Sequence, residues 1–106
     1  MSAVNMNLSE FESLVINEKK PAVVDLWAPW CVYCRRLGPA FEQVAEAHPD
    51  VLFVKINIDE VPEVAEKYGV EVIPTLLAFR DGRLAGTVVN PGSKGKIEEF
   101  FRENLG

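Results

Sequence analysis

Hydrophobic spacing along this chain switches repeatedly between the repeat of a helix and the unbroken runs of buried strands. A short first strand is read around Ala3 to Met6. Ser9, with Glu12 three residues on, makes a capping-box pattern, and Phe11, Leu14 and Val15 follow as a helical stripe that Lys19-Lys20-Pro21 ends. Ala22-Val23-Val24-Asp25-Leu26-Trp27 has no alternation, which predicts a central strand buried on both faces, interrupted by Asp25. A second helix is expected from the cysteines to about His48, with Leu37, Phe41, Val44 and Ala45 facing inward. Pro39 inside it removes a backbone donor and predicts a kink, and Pro49-Asp50 stops it.

Val51 to Ile58 is rich in β-branched residues and reads as a strand. Val61, Val64, Ala65 and Tyr68 predict a short helix closed by Gly69. Thr75 to Phe79 and Leu84 to Val89 flank Asp81-Gly82, a two-residue hairpin signal, so these strands are expected to be antiparallel. Ser93 caps a last helix with Ile97, Phe100, Phe101 and Leu105 on its inner face. The predicted order is βαβαβαββα, an α/β layered sheet with parallel crossovers first and a hairpin last.

Composition sharpens this picture only in part. A chain of 106 residues, 48% hydrophobic and 25% charged, is expected to form one globular domain, residues 1–106, with a real core. A net charge of −5 argues against nucleic-acid binding, which needs clustered Lys and Arg. No apolar run approaches the length of a membrane span. The start, Met1 to Phe11, lacks a basic region followed by an apolar one, so no signal peptide is read and the expected location is cytoplasmic.

The chemistry lies in Trp27-Ala28-Pro29-Trp30-Cys31-Val32-Tyr33-Cys34, which contains both cysteines of the chain. A Cys-x-x-Cys pair at a strand-to-helix junction puts its first thiol where free backbone N–H groups and the macrodipole stabilise a thiolate. The second thiol lies one turn later on the same face, within reach of a disulfide. Such a pair can exchange disulfides with other molecules, Cys31 attacking and Cys34 resolving the mixed disulfide. Asp25, a carboxylate in an apolar strand, has its pKa raised by desolvation and can exchange protons near neutrality. A structural salt bridge to Lys55 is the competing reading. Trp27 continues the buried strand and fits core packing, and His48, with no second histidine, is a poor metal or catalytic candidate.

Beyond the cysteine motif, the chain resembles the thioredoxin family over nearly all of its length. The resemblance rests on Val24-Asp25-x-Trp27-Ala28 before Trp30-Cys31, on Lys55-Ile56-Asn57-Ile58-Asp59, on Lys67-Tyr68-Gly69-Val70, on Ile73-Pro74-Thr75-Leu76 and on Ser93-Lys94-Gly95. It implies a thioredoxin-like three-layer sandwich: a central mixed five-stranded sheet flanked by four helices. It also implies a dithiol reductase of protein disulfides, recycled by a thioredoxin reductase or similar dithiol donor, with no cofactor or metal, and a monomer. Asp25, helped by Lys55, then assists deprotonation of Cys34. Pro74 is expected to be cis beside the nucleophile, leaving the Ile73 backbone free to pair with substrate, while Trp30, Ile73 and Pro74 form an apolar platform around an exposed sulfur. Val32, Tyr33, Thr75 and Asn90 complete the substrate-facing set.

Two departures stand out. Val32-Tyr33 replaces the usual Gly-Pro, so the Tyr33 N–H becomes available as a second donor to the Cys31 thiolate; the expectation is a less reducing couple, by roughly 30–65 mV at most. Asn90 stands where the family usually has glycine, adding bulk where partners approach. The alternatives are a glutaredoxin-like activity, a disulfide oxidase or isomerase, a metal or iron–sulfur module needing further ligands, or a protein-binding module with idle sulfurs.

Overall fold

The computed structural model describes residues 3–106. Strand β1 (Val4–Asn5) leads into α1 (Leu8–Phe11), which continues as a π-helical segment, Glu12–Asn17. Then follow β2 (Ala22–Trp27), α2 (Val32–Ala47), β3 (Leu52–Asn57), α3 (Pro62–Lys67), β4 (Thr75–Arg80), β5 (Arg83–Val89) and α4 (Lys94–Leu105). The expected order holds, with five strands and four helices among the described residues. The strands lie side by side as β1-β3-β2-β4-β5. β1 and β2 both run parallel to β3, while β2–β4 and β4–β5 are antiparallel.

Burial explains the reading of the central strand. In β2, Ala22, Val24 and Leu26 join Phe11, Val15 and Val64 in one core beneath α1 and α3. Val23 faces the other way, into a core built with Leu37, Phe41 and Val44 of α2 and Ile97, Phe100 and Phe101 of α4. Period-two alternation thus serves two buried layers, and Asp25 is the one charged residue in either face of β2. At the turn between β4 and β5, Asp81 and Gly82 have φ of 57° and 78°, the left-handed pair a tight hairpin requires. His48, at the end of α2, bonds Glu98 of α4 at 2.9 Å and stacks on Phe101 with ring centroids 3.9 Å apart. The end of α2 is thereby tied to α4.

Two local expectations need correction. The first helix is capped by Asn7, not Ser9. The Asn7 side chain accepts from the Glu10 N–H at 2.8 Å, and the Glu10 carboxylate accepts from the Asn7 N–H at 2.9 Å, a complete capping box two residues earlier than expected. The start is set by β1, since Met6 N–H is still bonded to the Lys55 carbonyl of β3 and releases the chain immediately before Asn7. The final strand of the α/β half, β3, spans Leu52–Asn57 and is shorter at both ends than expected. Helix α2 continues from Val32 to Ala47 across Pro39.

Candidate active site

The chain leaves β2 at Trp27 and enters α2 at Val32, with Cys31 as the N-cap residue in extended conformation (φ −91°, ψ 113°). In that position the side chain turns back over the first helical turn. The Cys31 Sγ accepts the Cys34 backbone N–H at 3.2 Å, as a capping oxygen would. The two cysteines are joined as a disulfide with Cα atoms 5.2 Å apart, and Ala28 and Cys34 pack with Cys31 against Trp27, Ile58 and Ile73. The Cys31 Sγ lies 3.9 Å from the Ile73 carbonyl oxygen, and the Ile73–Pro74 peptide bond is cis. One small nest therefore contains both sulfurs, a helix start and an irregular backbone stretch next to the first sulfur.

The expected second donor concerns the reduced Cys31 thiolate, whereas here the two cysteines are joined as a disulfide. With the disulfide formed, the Tyr33 N–H makes no hydrogen bond to Cys31 Sγ, and Cys34 supplies the backbone donor alone. The geometry is that of an N-cap whose side chain reaches the third residue of the helix, leaving the second unbonded to it. The sulfur is also less exposed than expected: Cys31 is only 7% accessible and Cys34 4%.

The surface around this nest is apolar. Trp30, Val32, Tyr33 and Val72 are all exposed, and Trp30 and Tyr33 show 65% and 59% of their surface. Trp30 is not free, however. Its indole N–H donates to the Asp59 carboxylate, with both oxygens within 3.2 Å. Asp59 and Val72 were not among the expected site residues. A signal for Asp59 existed: β2 and β3 are parallel, so the residues just past Trp27 and Asn57 emerge at the same sheet edge, as the Ile58 N–H to Trp27 carbonyl bond at 2.9 Å illustrates. Ile73 is half-buried and Pro74 buried, so the platform at this point is mainly backbone. Thr75 departs from its expected place on the substrate-facing surface: it is buried and donates its hydroxyl to the Val72 carbonyl. Asn90 is exposed, holds φ at 46°, and donates its N–H to the Pro74 carbonyl at 2.8 Å. Its side-chain type is one of the few besides glycine that accepts this backbone.

In β2, Asp25 is fully buried, and neither of its carboxylate oxygens has a hydrogen-bond partner among the described residues. Burial pushes its pKa up from 3.8 to about 7, against an opposing pull from Lys55. The salt bridge of the competing reading is absent among the described residues. Lys55 is the register partner of Asp25 on β3, but its ammonium lies over the Trp27 ring, 4.9 Å from the centroid. A cation held by an aromatic face stays near the carboxylate without neutralising it by contact. Trp27, whose indole N–H is buried and unpartnered, fills the space between strand and cysteine nest, as its core assignment required.

The helix-capping disulfide and the apolar rim around it make a site for thiol–disulfide exchange. Known proteins agree. The family model described as Thioredoxin matches residues 2–103. A thioredoxin of Rhodospirillum rubrum is 45% identical over 98 residues, spanning 92% of this chain and 94% of the relative. Thioredoxin 1 of Synechococcus elongatus is 45% identical over 96 residues, covering 90% of each. The solved structure of reduced Schistosoma mansoni thioredoxin pre-protein superposes with a TM-score of 0.88 at 32% identity, over 99% of this chain and 100% of that one.

Proposed function

The chain belongs to the thioredoxin family and is a thiol–disulfide oxidoreductase acting on protein disulfides, and we propose that it works through the following residues. In the reduced protein the Cys31 thiolate attacks one sulfur of a substrate disulfide. The substrate S–S bond breaks, a Cys31–substrate bond forms, and the departing substrate sulfur takes up a proton. Cys34, losing its proton to Asp25, then attacks Cys31 Sγ. The mixed disulfide breaks, the second substrate thiol leaves reduced, and the Cys31–Cys34 bond forms. Two electrons pass to substrate in each cycle, and a dithiol donor such as a thioredoxin reductase returns them.

The observation that carries this reading is the placement of Cys31 Sγ at the N-cap of α2, on the Cys34 N–H, beside the Ile73 carbonyl. A sulfur there faces the electropositive helix start and adjoins backbone that can pair with an extended substrate. Trp30, Val32, Tyr33 and Ile73 supply an apolar rim for the segment around the substrate disulfide. Lys55 tunes Asp25 from above the Trp27 ring. No helix of the described residues is long and apolar enough to cross a membrane; a cytoplasmic location and a monomeric state belong to the proposal.

Reduction of insulin driven by dithiothreitol and followed by turbidity tests it. Wild type should accelerate precipitation and Cys31→Ala should not. Full activity in Cys31→Ala would remove Cys31 from its role.

A further inference from the structure

Both departures from the usual family pattern, Tyr33 and Asn90, line a single groove. It encloses about 240 Å³ beside the cysteine turn, between the start of α2 and the segment that leads into α4. Tyr33 and Arg36 form one wall; Asn90, Gly92 and Ser93 form the other. The Arg36 guanidinium lies over the Tyr33 ring, 5.7 Å from its centroid. Tyr33 and Arg36 are exposed, and no carboxylate among the described residues pairs with Arg36. The aromatic face holds the cation beside the groove while leaving its N–H groups unpaired among the described residues.

Deepening the oxidoreductase reading on which it rests, the geometry points to Arg36 as a specificity-determining residue that pairs with a carboxylate beside the disulfide of a peptide substrate. The groove begins at Tyr33, between the two cysteines, so a chain seated with its disulfide at Cys31 has its neighbouring residues within reach. Charge complementarity selects the occupant. Arg36 offers a planar donor fork suited to carboxylate, and the opposite wall carries no acid that would compete. The whole chain, at −5, repels acidic peptides at long range. Beyond about 8 Å that repulsion is largely screened at physiological salt, so a contact pair can still set the preference. Exposed pairs of this kind are worth about 0.2–1 kcal/mol, or roughly 1.4- to 5-fold in kcat/KM.

The test uses disulfide-linked dimers of a short peptide, identical except for Glu, Gln or Lys beside the cysteine. Each enzymatic kcat/KM is divided by the rate of the same peptide with dithiothreitol alone, which removes the peptide's own reactivity. Wild type is expected to favour the Glu peptide over the Gln peptide by about 1.4- to 5-fold, chiefly through KM, with the ratio falling as salt is added. In Arg36→Gln the ratio should fall to about one, and in Arg36→Glu the Lys peptide should become the preferred one. Arg35, the next residue, has the same charge but does not line the groove, so Arg35→Gln should keep the wild-type ratio. Equal rates for all three peptides in wild type, or a ratio lowered as much by Arg35→Gln as by Arg36→Gln, would overturn the role of Arg36. Failure of wild type to reduce any of the peptides would overturn the oxidoreductase reading itself, and the groove's role with it.

Discussion

Asp25→Asn exchanges the buried carboxyl of β2 for an amide of nearly the same size and shape. Neither oxygen of Asp25 is hydrogen-bonded among the described residues, so the substitution breaks no observed bond and isolates the charge. Burial raises the folded-state pKa to about 7 from 3.8, with Lys55 pulling the other way. The unfolded chain loses this proton near 3.9, whereas the folded protein keeps it to about 7. Between those values the folded state binds more protons than the unfolded state, so wild-type stability falls as pH rises through the window and levels off above it. At about 1.4 kcal/mol per pH unit, a gap of roughly three amounts to about 4 kcal/mol, reduced to about 2–4 when water and the surrounding dipoles relax around the charge. The asparagine does not titrate, and the other carboxylates are common to both proteins and cancel in the difference. Urea unfolding of the disulfide-bonded form at a series of pH values reads the effect. The variant and wild type should be of similar stability near pH 4, and the variant should lead by about 2–4 kcal/mol near pH 8. A difference that stays constant across this window, or that narrows with rising pH, would refute the reasoning. The same charging cost keeps Asp25 able to take a proton near neutrality, the property the proposed resolving step requires.

Three further outcomes follow from contacts elsewhere. Lys55→Met removes the pull that opposes desolvation of Asp25, so in the same urea series the pH-dependent loss of stability should extend to higher pH than in wild type. Asp59→Ala frees the Trp30 indole N–H at an exposed site; stability should change by less than about 1 kcal/mol, while KM for insulin rises severalfold and kcat holds within about twofold. Gly86→Ala places a methyl group against the side-chain amide of Asn104, whose Nδ2 donates to the Phe100 carbonyl at 2.9 Å. That amide ends a flexible side chain able to swing aside, so urea unfolding should show a loss of no more than about 1 kcal/mol, the bond to Phe100 it gives up, and little further loss in an Asn104→Ala background.

What the sequence made legible and what it hid divide along a physical line. Features decided within a few residues were readable: the left-handed Asp81-Gly82 turn, the Ser93 cap, which accepts the Lys96 N–H at 3.2 Å, and Cys31 at the head of α2. Choices settled by distant partners were not. Asn7 with Glu10 and Ser9 with Glu12 are equally good caps on paper, and the hydrogen bond from Met6 to β3 decides between them. The π-helical stretch, with Glu18 N–H bonded to the Ser13 carbonyl, carries the same apolar spacing as an ordinary helix and so leaves no separate trace in the sequence. Lys55 was rightly placed beside Asp25, but the Trp27 ring, not the carboxylate, takes its ammonium. At the site, Cys31, Cys34 and Asp25 could be named from the chain because burial and helix starts leave periodic traces. The Asp59 anchor of Trp30, exposed Val72 and the inward-turned Thr75 depend on how separate segments meet. The Tyr33 donor is a matter of a different state: having an N–H is a property of residue type, whereas aiming it at a thiolate depends on the cap of the reduced protein, and here Cys31 is held in the disulfide.

The division of labour between the two sulfurs is tested most directly by trapping. Reduced Cys34→Ala and Cys31→Ala proteins are mixed with a disulfide-linked peptide, acid-quenched, and weighed intact by mass spectrometry. Cys34→Ala should accumulate a peptide adduct on Cys31 that persists because nothing resolves it, while Cys31→Ala stays unmodified over the same interval. Equal adduct formation on Cys34 when Cys31 is absent would contradict the assignment of attack to the helix-capping sulfur.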